Sequence, residues 1–271
     1  MQASSVNPVA IAIANLTVIA GRRTILALDH LSVPSGELLA VMGPNGAGKS
    51  TLLRTCLGIQ RQVSGQISIL GQPLAALGSA ALTRLRRGIG YVPQLLPARN
   101  EMPLTVREVV AIGRTGKAGL FRRFRREDWQ IVDDWMNRLG LAALVGRAFH
   151  EISGGEQRKA VIARAMVQEP RLLLLDEPTA NLDVGWRERI VETIQSLYEQ
   201  TRLTVVLVCH ELEVLPRSCG RIVLLDQGRP LAAGLPEEVF TEARIRALYG
   251  PGLVALHQGG RHAIVPTGGP R

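Results

Sequence analysis

No uninterrupted apolar run in this 271-residue sequence approaches the roughly 18–20 residues that span a bilayer. The apolar start, Val9 to Ala20, has no basic residues before it and is broken by Asn15 and Thr17. It reads as a strand rather than a signal peptide. Cysteine is scarce. Cys56, Cys209 and Cys219 form no metal-ligand spacing, and an odd count of scattered thiols fits a reducing compartment and core packing. There is no internal repeat and no RNA- or DNA-binding module. The length suffices for one large core, or for a core domain carrying an inserted subdomain.

What the chain has in excess is positive charge, formally +9. Much of it crowds one segment, where Arg114, Lys117, Arg122, Arg123, Arg125 and Arg126 interleave with Leu120, Phe121 and Phe124. A solvated loop, a membrane-side surface and a nucleic-acid patch all remain open for that segment.

The informative local pattern is Gly43-Pro44-Asn45-Gly46-Ala47-Gly48-Lys49-Ser50-Thr51. It follows the apolar run Glu37 to Met42 and opens the amphipathic stretch Thr51 to Leu57, which gives strand, glycine-rich loop and helix. Loop glycines let successive N–H groups turn inward, and the helix N-terminus adds donors and the positive end of its dipole. Lys49 supplies a point charge for β- and γ-phosphates, and the Ser50 hydroxyl suits Mg²⁺.

Four more segments follow in order: Ile152-Ser153-Gly154-Gly155-Glu156-Gln157, Leu172 to Leu175 ending in Asp176-Glu177-Pro178, Asn181-Leu182-Asp183, and Cys209-His210 after the apolar run Leu203 to Val208. The run of leucines predicts a strand buried on both faces. Asp176 emerges at its end, placed to hold Mg²⁺, and Glu177 follows as a candidate general base. Two adjacent acids ending a buried strand are costly without a function. Ser153 and Glu156 form a capping box for a helix over Gln157 to Gln168, but a box does not account for two glycines in its first turn.

With Tyr91-Val92-Pro93-Gln94, this set resembles the nucleotide-binding subunit of ABC transporters over about Val9 to Tyr249. The resemblance implies an α/β fold: a P-loop NTPase core of ABC type, an antiparallel β subdomain, and a helical subdomain inserted at about 95–158. The ATPase domain would take residues 1–250, leaving 251–271 as a Gly-, Pro- and His-containing tail, expected to be partly disordered. It implies ATP and Mg²⁺ as ligands, with Ser50, Gln94 and Asp176 at the metal. Gln94 would sense Mg²⁺ and the attacking water, Glu177 would act as base, and His210 would bind the γ-phosphate. It further implies a homodimer with two ATPs sandwiched head to tail, in which Ser153, Gly154, Gly155 and Glu156 meet the γ-phosphate held by the opposite subunit and Asp183 crosses the interface. Integral permease subunits and an extracytoplasmic substrate-binding protein are the implied partners, nucleic acid is not, and the site of action is the cytoplasmic face of the membrane.

Ala20 departs from the family pattern, because it aligns where an aromatic ring usually stacks on adenine, a contact worth about 1–3 kcal/mol. Segments 105–114 and 119–123 resemble zinc or manganese importers, with iron-siderophore, haem and cobalamin importers as the alternative. A soluble ABC-type ATPase acting on nucleic acid or ribosomes is the third reading. Helices are further expected over Thr105 to Ile112, opened by a Thr105/Glu108 capping box, and over Asp128 to Leu139, ended by Gly140. A hairpin is expected near Ser64-Gly65, and alternating strands and helices from Leu172 onward.

Overall fold

Leu172, Leu173, Leu174 and Leu175 are all fully buried, and alternate members serve two different cores. That is the behaviour of a central strand in a sheet covered on both faces. The computed structural model describes residues 8–60, 64–94, 104–119 and 122–267.

The chain begins with a long antiparallel pair, β1 (Val9–Ala20) and β2 (Arg23–Pro34), then passes through β3 (Leu38–Met42) into α1 (Lys49–Cys56). It returns to the first sheet as β4 (Ser64–Ile69) and β5 (Gln72–Pro73), and α2 (Ser79–Arg86) and β6 (Ile89–Val92) follow. Next come four helices, α3 (Val106–Ile112), α4 (Thr115–Ala118), α5 (Arg126–Arg138) and α6 (Gly154–Met166). The remainder is β7 (Leu172–Asp176), α7 (Val184–Thr201), β8 (Thr204–Val208), β9 (Arg221–Asp226), β10 (Arg229–Gly234), α8 (Pro236–Val239), α9 (Glu242–Tyr249), β11 (Leu253–Gln258) and β12 (Arg261–Pro266).

One sheet has the antiparallel order β2-β1-β4-β5. A second has the order β10-β9-β3-β8-β7-β6, parallel except for its β10 edge, and β11-β12 form a separate two-stranded pair. Between the two sheets lies a core that includes Ile11, Leu26, Val41, Leu52 and Leu174. The opposite face of the parallel sheet packs Met42, Leu173 and Leu207 against α3, α5, α6 and α7. The thiols sit inside these cores, unpaired, and burial pushes Cys56 and Cys219 up to about 12.

The structure departs from the sequence reading at four places. Ser64 and Gly65 lie inside β4, where Gly65 (φ 89) crosses so close to Asn15 that a Cβ would stand 2.2 Å from its carbonyl oxygen. The hairpin turn falls instead at Leu70-Gly71, both with positive φ. Strand–helix alternation fails between β8 and β9, which are joined by a helix-free segment anchored by buried Leu212 and Leu215. Helix α6 runs through the expected end of the helical insertion at 158, whose expected start at 95 lies outside the described residues. Finally, the tail expected to be partly disordered forms the β11–β12 hairpin around Gly259-Gly260, and Leu253, Ala255 and Ile264 pack on the core. Residues 268–271 lie outside the described residues.

The basic segment is partly neutralised. Arg114 pairs with Asp128 at 2.8 Å and with Glu169 at 2.5 Å, and Lys117 reaches Glu169 at 2.8 Å. Arg122, Arg123, Arg125 and Arg126 are exposed, while Leu120 and Phe121 lie outside the described residues.

Candidate functional site

The loop joining β3 to α1 is shaped by two close approaches. A Cβ on Gly43 (φ 143) would stand 2.0 Å from the Leu225 carbonyl oxygen, and one on Gly48 (φ 94) would stand 2.7 Å from that of Ile25. Only glycine fits both positions. Lys49 folds back over this loop, its Nζ donating to the carbonyls of Gly43 at 2.8 Å and Pro44 at 3.1 Å. The same nitrogen lies 3.8 Å from Glu177 Oε1. Burial lowers the Lys49 pKa, and the Glu177 carboxylate opposes that shift.

The neighbouring side chain faces the end of β7. Ser50 Oγ donates to Asp176 Oδ1 at 2.8 Å, and the Tyr91 hydroxyl donates to Asp176 Oδ2 at 3.3 Å. Burial raises the Tyr91 pKa and the Asp176 charge adds to the shift. Ser50 and Asp176 therefore set a hydroxyl and a carboxylate side by side, the hard oxygen donors that Mg²⁺ takes.

Glu177 leaves the strand with a left-handed backbone, φ 47, while its N–H still donates to the Val208 carbonyl at 2.9 Å. A non-glycine residue held there is uncommon and has to be fixed by its surroundings. The two acids consequently meet different partners. Glu177 Oε2 accepts from Gln94 Nε2 at 2.8 Å and lies 3.5 Å from His210 Nδ1. A polar cavity of about 240 Å³ opens beside this cluster, with Asn45, Asn181, Arg187 and His210 among its lining residues. Gly46, Ala47, Gly48 and Thr51 line an adjoining pocket with Lys49 and Ser50.

Lys49, Ser50, Gln94, Asp176, Glu177 and His210 are thus brought together from four separate stretches of sequence. Among the described residues, no hydrogen bond or ion pair joins Ser153, Gly154, Gly155, Glu156 or Asp183 to that cluster. Ser153 caps α6 by accepting from Glu156 N, while Glu156 Oε2 accepts from Ser153 N at 2.8 Å. Asp183 caps α7, accepting from Trp186 N at 2.9 Å. Gly155 has a reason within its own chain, since a Cβ there would stand 1.9 Å from the Trp186 ring. Ala20 closes β1 opposite Arg23 at an exposed hairpin tip.

Arg158 belongs to the site although its local sequence pattern signals only a helix. Arg158, buried on α6, donates from Nη1 to the Pro93 carbonyl at 2.7 Å and from Nη2 to that of Gln94 at 3.0 Å. It pins the backbone that carries Gln94, and burial lowers its pKa.

With this geometry in place, the sequence matches the ABC transporter family over residues 26–180, more than half of the chain. The chain belongs to the ABC transporter family. It is 40% identical over 232 residues to a cobalamin import ATP-binding protein of Halobacterium salinarum, covering 85% of this chain but only 56% of that protein's length. It is 36% identical to the hemin import ATP-binding protein of Bordetella avium, over 87% of this chain and 90% of that one. Identity is 34% to the manganese transport system ATP-binding protein of Bacillus subtilis, over 89% and 93% of the two chains. A solved ABC cassette dimer in a post-hydrolysis state, bound to ADP and Pi, superimposes with TM-score 0.71 at 27% identity, over 83% of this chain and 98% of that one.

Proposed function

We propose that this chain is the ATP-hydrolysing subunit of an ABC importer, working as a homodimer beneath separate membrane permease subunits. The observation that carries the proposal is the convergence on Glu177 of Lys49, Gln94 and His210, next to the Ser50–Asp176 pair. Lys49 and the loop amides bind the triphosphate, and Ser50 and Asp176, with Gln94 nearby, hold Mg²⁺. Bound there, Mg²⁺ supplies charge neutralisation for the phosphates. Glu177 takes the proton of the attacking water, Gln94 orients that water, and His210 donates to the γ-phosphate.

A groove of about 560 Å³ supports the partnership with a permease. Ile89, Tyr91, Ile112 and Ala165 line it together with Arg87 and Arg164. Ile112 is 45% exposed, and Tyr91 reaches from this groove to Asp176, so an element seated there would touch a side chain of the nucleotide site. Among the described residues no helix is long and apolar enough to cross a membrane. This fits a peripheral subunit on the cytoplasmic face, served by an extracytoplasmic binding protein that delivers the cargo.

The cargo we propose is a transition metal, free or chelated. Resemblance in 105–114 together with 119–123 favours zinc or manganese, and the manganese relative agrees, while the siderophore, haem and cobalamin importers share the first of these segments and the cobalamin and hemin relatives favour a chelate. Action on nucleic acid loses ground because Arg114 and Lys117 are already paired.

Steady-state ATPase assays test the proposal. Glu177→Gln is expected to keep ATP binding while lowering turnover by about 10²–10⁴-fold, the usual contribution of a general base. Turnover at the wild-type rate would remove Glu177 from that role.

A further inference from the structure

At the C-terminal end, three side chains from three elements converge away from the nucleotide site. His257 near the end of β11 and His262 in β12 are direct cross-strand partners, with their Nδ1 atoms 2.7 Å apart. Glu237 on α8 places Oε1 4.0 Å from His262 Nδ1, and one ligand atom from each residue lies within 4.8 Å of the others.

We propose that Glu237, His257 and His262 form a binding site for a divalent transition-metal ion of the Zn²⁺ type.

Two imidazole nitrogens and one carboxylate oxygen make a borderline donor set that favours Zn²⁺ and its neighbours over Mg²⁺ or Ca²⁺, which want oxygen alone. Three protein ligands leave a fourth tetrahedral position for water. Zinc–nitrogen bonds of about 2.0–2.1 Å put two ligating nitrogens about 3.3–3.4 Å apart in a tetrahedral site. The histidines therefore have to separate by roughly 0.6 Å on loading, a shift that side-chain torsions can absorb. Both rings then carry their proton on Nε2, and the Nδ1 lone pairs face the ion. Burial lowers the His262 pKa and the Glu237 carboxylate opposes that shift.

Each arm is anchored on its own. Glu237 is held by its helix, whose Val239 is buried along with the following Phe240. The hairpin is tied down by Arg261 to Glu188 and by Ile264 N–H to Glu213 Oε1 at 3.0 Å, besides the packing of Ala255 and Ile264 on the core. A site assembled from anchored elements loses less entropy on binding than one in a loose tail. A bound ion would cross-link α8 to the hairpin and stabilise this region in proportion to its occupancy. None of the three residues contacts the nucleotide cluster, so the site is independent of the ATPase reading.

The test uses the full chain without an affinity tag, stripped with chelator and titrated calorimetrically with Zn²⁺ in excess Mg²⁺. The expected result is one ion per chain with a micromolar or tighter dissociation constant, and a thermal midpoint that rises with Zn²⁺. His257→Ala and His262→Ala should each weaken binding at least about ten-fold, the lower end of the loss seen when even an outer partner of a metal ligand is removed. Both should retain wild-type ATPase activity, which reports that the fold is intact. If His262→Ala does not fold, Glu237→Ala takes its place. Wild-type binding weaker than about 100 µM, or a smaller loss in either folded variant, would overturn the proposal.

Discussion

Arg158 spends its guanidinium on two carbonyls, Pro93 and Gln94, that lie 65 and 64 residues away in sequence. Hydrogen bonds from a charged donor contribute about 1.5–3 kcal/mol, and here they fix the backbone whose side chain contacts Glu177. Arg158→Met keeps the aliphatic stem and removes both donors. ATPase turnover is expected to fall by about 10–100-fold, since small misplacements of reacting groups cost that much. ATP affinity, which the proposal assigns to Lys49 and the loop, should stay within about three-fold by fluorescence titration. Unchanged turnover would mean that Gln94 is held by other means. Lys49, Ser50, Asp176 and Glu177 could be read from the sequence because each sits in a contiguous pattern with its own chemical logic. Arg158 could not, nor could the bond from Tyr91 to Asp176, because their partners are remote and their local patterns say only helix and strand. Trp186 was hidden in the same way. Two glycines in a first turn signal a close approach, but only the fold shows that the neighbour of Gly155 is an indole ring.

At the scale of elements, β3, β7 and β8 were legible as continuous apolar runs, and α3 and α6 as capping boxes, because period and cap chemistry are local. The β11–β12 hairpin was not. Its glycines and histidines suggest a loose tail, and its order comes from packing on a core far away in sequence. The same holds for the segment between β8 and β9, which crosses without a helix because buried leucines anchor it. A related long-range tie is Arg221 at the start of β9. It grips Glu37 at 2.6 and 2.8 Å and the Ser32 carbonyl at 2.6 Å, joining the parallel sheet to the antiparallel one. Arg221→Met should destabilise the chain by about 1–3 kcal/mol. For a domain of this size that lowers the melting midpoint by roughly 2–5 °C, measurable by circular dichroism. An unchanged midpoint would show the tie to be energetically idle.

At the scale of the whole molecule, the two halves of the expected site stay apart. Lys49, Asp176 and Glu177 cluster at the P-loop, whereas Ser153 to Glu156 and Asp183 cap helices without touching that cluster. One chain on this account holds a nucleotide but does not complete a hydrolytic site, and a second copy has to supply the α6 N-terminus, whose N–H groups and dipole suit an anion. The direct measurement is the solution mass of the Glu177→Gln chain with Mg²⁺ and ATP, by light scattering coupled to size exclusion. The account predicts a stable dimer, twice the 29.4 kDa chain mass, that reverts to monomer without ATP and does not form when Ser153→Arg is added. A chain that binds ATP yet stays monomeric at every concentration tested would contradict it.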